Sequence, residues 1–100
     1  MAWNWKHDVV VEVTLKTTDE GGRKGPTLTN HFGCPVKYGD KYFDLFFDLT
    51  RTGSMVPGGT VRVPAQFMCP ELVKKDLSVG SKLVLHEGRE IGHAMVVEIL

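Results

Sequence analysis

Residues 85–100 read LHEGREIGHAMVVEIL. A charged turn, Glu87-Gly88-Arg89-Glu90, separates two apolar runs, and the pattern predicts a β-hairpin. A lone hairpin is marginal in water. An apolar strand with an open edge also offers unpaired N–H and C=O groups to any other chain. Pairing the last strand with the first removes that edge, so the chain is able to stop on a core strand. The expected fold class is all-β, a small closed antiparallel barrel of about six strands. The hairpin's register stays open. Either Met95, Val97 and Ile99 face the core, or Ala94 and Val96 do, because one residue more or less in the turn exchanges the faces.

The rest of the chain supplies the other strands. Val9, Val11, Val13 and Leu15 alternate with Val10, Glu12, Thr14 and Lys16, the period of a half-buried strand. Thr17 to Pro26 is a loop rich in glycine. A weak extended piece follows over Thr27 to Phe32, and Cys34-Pro35 is expected to bend the chain. Gly39-Asp40 is a turn. Phe43, Leu45, Phe47 and Leu49 then alternate with Asp44, Phe46, Asp48 and Thr50. Val61, Val63, Ala65 and Phe67 form the next run, in which Pro64 predicts an edge or a bulge. Pro70 to Val79 has room for one or two helical turns, opened by Pro70 and stopped by Gly80.

The 100 residues fit one domain. The expected division is an N-terminal extension over 1–7 and a barrel over 8–100. Twelve basic and twelve acidic side chains balance, which argues against non-specific nucleic-acid binding and leaves only a local basic patch. No run of about 18 apolar residues occurs, so no membrane span is expected. The first residues lack a signal-peptide pattern. Without one, the two cysteines, Cys34 and Cys69, read as free thiols and the expected location is cytoplasmic.

No phosphate-binding Gly-x-x-x-x-Gly-Lys-Ser/Thr run and no Gly-x-Ser-x-Gly elbow is present. His7, His31, His86 and His93, with Cys34 and Cys69, lack the paired spacing of a zinc site. Asp44 and Asp48 share a strand face. Paired carboxylates can do acid–base work, but opposite an apolar face they read as the strand's wet side. The expectation is a protein that is not an enzyme and needs no cofactor. Two turns are richer than a plain connection requires: Glu20-Gly21-Gly22-Arg23-Lys24 and Glu87-Gly88-Arg89. Glycine lets backbone approach a partner closely, and Arg or Lys meets phosphate.

Three stretches carry a resemblance in order: VEVTLKTTDEGGRKGPTLTNHFGCPV (11–36), SMVPGGTVRV (54–63) and LHEGREIGHAMVVEIL (85–100). They look like successive strands and turns of the third, C-terminal domain of bacterial elongation factor Tu. That domain has a Glu-Gly-Gly-Arg loop after its first strand, here Glu20 to Arg23. It has a Met-x-x-Pro-Gly-type turn, here Met55 to Gly58. It closes on an Arg-Glu-Gly-Gly-Arg hairpin, here His86 to Gly92 and one glycine short. The likeness spans about Asp8 to Leu100 and implies a six-stranded antiparallel barrel.

In the family this domain helps hold the T-stem of aminoacyl-tRNA and packs on a second barrel and a GTPase domain. The resemblance therefore implies RNA-binding roles for Arg23, Lys24, Glu87, Gly88 and Arg89. Its implied partners are aminoacyl-tRNA and the other domains of a translation factor. Cys34-Pro35 stands where the family has Arg-Pro, which removes a charge from the RNA-facing region. Neutral charge and that lost arginine point to a second reading, a stand-alone barrel for protein interaction that has lost tRNA binding.

Overall fold

The computed structural model describes residues 4–100. Of the expected extension over 1–7, Met1 to Trp3 lie outside the described residues. Six strands build one closed antiparallel barrel: β1 (Val9–Leu15), β2 (His31–Tyr38), β3 (Lys41–Asp48), β4 (Thr60–Phe67), β5 (Lys82–His86) and β6 (Glu90–Ile99). Around the barrel they run β1-β4-β3-β2-β5-β6, and β6 returns to β1. The expected fold class holds.

Strand β1 follows its period of two. Val9, Val11, Val13 and Leu15 are buried, and the residues between them are half-exposed. Val11 faces Val63 of β4 on one flank and Val96 of β6 on the other. The open register of the last hairpin resolves in favour of Ala94 and Val96, both fully buried. Two bulges explain why counting alone left it open. The β5–β6 pairing shifts between Leu85 and His86, and the β1–β6 pairing shifts between Val10 and Val11. Each bulge adds a residue to one strand and changes which side chains face inward. The first lets Ile91 and Ala94 both be buried, out of phase with one another.

Other local expectations change. The bend expected at Cys34-Pro35 is absent. Both residues lie inside β2, Cys34 opposite Leu45 and Pro35 opposite Asp44. The β2–β5 register covers only Val36 and Lys37, just beyond the proline. The extended piece expected from Thr27 begins at His31. Strand β4 is no edge, being paired with both β1 and β3. Yet β3 meets it only from Ala65 to Phe67, so Pro64 sits where that flank is already open. The helical turns expected after Pro70 are two short 3₁₀ turns, Pro70–Leu72 and Lys74–Asp76, and the same stretch sets Val73 and Leu77 into the core.

Asp48 is the main departure. It was expected on the wet side of β3 with Asp44. Asp44 is exposed, but Asp48 is buried. The chain ahead of β1 crosses the outer face of β3 and β4. The Lys6 N–H donates to Gln66 Oε1 at 2.8 Å, and the Asp8 N–H donates to the Ala65 carbonyl at 2.8 Å. Between them His7 Nε2 donates to Asp48 Oδ2 at 2.8 Å, since an ionised carboxylate only accepts. The Thr50 hydroxyl and backbone N–H donate to Oδ1 at 2.6 and 3.0 Å. Burial pushes the Asp48 pKa up, but the bonds from Thr50 and His7 outweigh it and leave the pKa below its ordinary 3.8.

That shift fixes a sign. The stabilisation from Asp48 is complete above the ordinary aspartate pKa and is lost as pH falls through the lower, folded value. Asp48→Asn is expected to cost about 1–2 kcal/mol at neutral pH. Its stability should also fall less steeply than the wild type's below about pH 4. Urea melts from pH 7 to pH 2 check both, and superimposable curves for the two proteins would refute the role given to Asp48.

Candidate functional site

The loop after β1 starts with a tight turn. Thr17 caps a 3₁₀ turn over Thr18–Glu20, and its hydroxyl accepts the Glu20 N–H at 3.2 Å while the Glu20 carboxylate accepts the Thr17 N–H at 2.9 Å. This reciprocal box satisfies two otherwise unpaired donors. Gly21 then takes a φ of +92°, a conformation that favours glycine. At Gly22 there is no room for a side chain, because a Cβ would sit 2.4 Å from the Lys16 carbonyl oxygen. The two glycines fold the loop back on itself.

The hairpin between β5 and β6 reaches that fold. Arg89 donates from Nε to the Gly21 carbonyl at 2.7 Å and from Nη2 to the Gly22 carbonyl at 3.2 Å. Arg23 reaches the other way. Its Nη1 donates to both carboxylate oxygens of Glu87, at 2.6 and 2.5 Å. Its Nε and Nη2 donate to the carbonyls of Gly25 and Pro26 at 3.2 and 3.3 Å. The guanidinium also lies 5.0 Å from the centre of the Phe32 ring. Gly88 turns the hairpin with a φ of +76°, and Glu87 donates its N–H to the Arg89 carbonyl at 2.8 Å. Lys24 is exposed beside them.

The five residues singled out from sequence therefore lie together, although loop and hairpin are 64 residues apart. Between loop and hairpin is an open cleft of about 340 Å³ lined by Arg23, Lys24, Gly25, Glu87, Arg89 and Ile91. Three cations face one carboxylate there, so the lining is net positive in a chain of zero formal charge. The two arginines are not free loop charges. Both are hydrogen-bonded within the chain, which sequence alone did not suggest. Gly25, Ile91 and Phe32 complete the site, and they carry no signature that would have marked them.

Nothing in the cleft marks a nucleophile. Cys34, the buried thiol of β2, has its pKa pushed up to about 12, chiefly by burial. It stays protonated at neutral pH and is inert as a nucleophile. Cys69 is exposed, and both cysteines are free thiols. Among the described residues no group of three or more His, Cys, Asp or Glu side chains is placed to hold a metal. No helix among them is long and apolar enough to cross a membrane.

No protein-family model matches the chain, and no curated protein matches its sequence. The likeness to the elongation factor domain thus stands on the three sequence stretches.

Two outcomes check this geometry. Arg89→Ala is expected to cost about 1–2 kcal/mol, because it leaves two loop carbonyls without their donors. It should also speed amide exchange across 17–26 while the strands stay protected; unchanged loop exchange would show that Arg89 holds nothing. In the native protein a thiol reagent should modify Cys69 and spare Cys34 until the barrel is unfolded.

Proposed function

We propose that the chain is a non-catalytic docking barrel of the elongation factor Tu C-terminal type. In this reading the cleft between loop and hairpin receives the sugar–phosphate backbone of an RNA stem. In the family the resemblance points to, that stem is the T-stem of aminoacyl-tRNA. One observation carries the reading: Arg23, Lys24 and Arg89 meet at one open cleft beside the glycine-rich backbone of 21–25. Cations beside a close-approaching backbone suit phosphate and 2′-OH contacts, which position an RNA without reading its bases. Other domains of a translation factor are the protein partners this reading implies, and a cytoplasmic location goes with it.

A second reading has its own observation. The arginine forks point inward at Glu87 and at loop carbonyls, which suits a rigid surface that docks a protein. Lys24 separates the two readings, since it is exposed and is outside these staples. The protein is titrated with aminoacyl-tRNA, uncharged tRNA and a duplex RNA control at two salt concentrations. Docking of an RNA stem predicts binding whose log K falls with log salt by about 0.9 per phosphate contact, hence a slope of about −2 to −3 for these cations. Lys24→Glu should weaken it with little change in melting point, since exposed loop charges shift stability by about half a kcal/mol. Failure to bind any of the three RNAs would sink the RNA reading in favour of protein docking.

A further inference from the structure

We infer that Glu87 is an internal stand-in for a ligand phosphate: its carboxylate occupies Nη1 of Arg23, and RNA enters the cleft by displacing it. This inference rests on the phosphate-backbone reading of the cleft.

The Arg23 contacts are of two kinds. Three hold the guanidinium from behind: the Gly25 carbonyl, the Pro26 carbonyl and the face of the Phe32 ring. These belong to the loop backbone or to the core. The fourth is the Glu87 side chain, which meets Nη1 through both oxygens. Glu87 lines the cleft and is 46% exposed, whereas Arg23 is 21% exposed. The guanidinium is thus the fixed partner and the carboxylate the replaceable one.

A phosphate presents paired anionic oxygens to a guanidinium in the way a carboxylate does. The Nη1 group that holds both Glu87 oxygens is able to take a backbone phosphate in their place without moving. Glu87 can leave by rotating its side chain alone. The hairpin backbone keeps its own closing bond from the Glu87 N–H to the Arg89 carbonyl. Arg89 is held through Gly21 and Gly22, with no carboxylate in its fork among these contacts. The competition therefore acts at Arg23.

The experiment compares wild type, Glu87→Gln, Glu87→Ala and Asp19→Asn. Each is titrated with duplex RNA and with inorganic polyphosphate over a range of salt. Asp19 is an exposed carboxylate on the same loop, so its variant reports the removal of one negative charge without freeing Arg23. Glu87→Gln is expected to bind both probes on the order of fivefold more tightly, the scale of a surface ion pair released. Its salt slope should match the wild type's, because a phosphate takes the same place at Arg23 in both complexes. In an Arg23→Gln background the gain should vanish. Should Glu87→Gln melt early, Glu87→Ala carries the same comparison.

An equal gain in Asp19→Asn overturns the inference. So does wild-type RNA binding with no gain in either Glu87 variant, and that result leaves the RNA reading standing. A gain on polyphosphate with no RNA binding by any variant keeps the competition at Arg23 and removes the RNA reading. No binding of either probe by any variant overturns both.

Discussion

Strand β1 lies between two partners, β4 alongside Val9 to Thr14 and β6 alongside Val9 to Leu15. The β6 flank closes the barrel by joining its first and last strands. Closure also creates the core, because Val9, Val11, Val13 and Leu15 are covered only when the sheet curls back on itself. Each such side chain contributes about 1.5–3 kcal/mol when taken fully out of water. Opening the β1–β6 seam would expose one face of both strands at once. A small domain has little surplus stability to absorb that loss.

The same seam places the candidate site. Antiparallel pairing sets the end of β1 against the start of β6, with Leu15 opposite Gly92. The contact is close, since a Cβ on Gly92 would lie 2.4 Å from the Thr14 carbonyl oxygen. Loop 17–26 leaves β1 at that point, and the β5–β6 hairpin enters β6 there. The Lys16 N–H donates to the Ile91 carbonyl at 2.9 Å, fixing the junction. Arg23 and Arg89 then reach across a gap that the backbone has already narrowed. Their bonds secure a juxtaposition that topology brings about. A second tie, Thr27 to Met55, holds the far end of the loop, each backbone N–H donating to the other's carbonyl or hydroxyl oxygen.

Legibility in the sequence follows the same division. Period-two alternation marked β1, most of β4 and the inward residues of β3, because burial on one face leaves a direct trace in residue type. The first bulge of β6 was hidden, since a residue inserted near Ile91 changes phase without changing composition. Pro35 misled for a related reason: a proline disfavours helix and central pairing, but it is accommodated in a strand beside a short ladder. Asp48 was misread because alternation reports only the sheet's two faces. It is silent about a segment from elsewhere in the chain lying over the outer one, as Lys6 and His7 do. The five candidate residues were legible as two unusual turns. Their union was implied once the first and last strands were paired. The hydrogen bonds that occupy both arginines were not, because they depend on glycine φ angles and on where carbonyls point.

That last gap bears on how a charged turn should be read. Arginine in a glycine-rich loop is commonly taken as a group waiting for an anion, yet the guanidinium has five donors and seldom needs them all for one partner. In this chain Arg23 uses Nε and Nη2 on loop carbonyls and presents Nη1 to a carboxylate at the cleft. The nitrogens of one side chain are thus divided between loop carbonyls and a carboxylate at the cleft. Loop carbonyls remove the entropy that a free arginine would lose on meeting a ligand, so what remains at Nη1 is a pre-set site. The cost is that a pre-set cation in a neutral protein attracts the nearest carboxylate of its own chain. In the proposed reading, staple and docking point are compatible roles for Arg23, and Glu87 sets the balance between them.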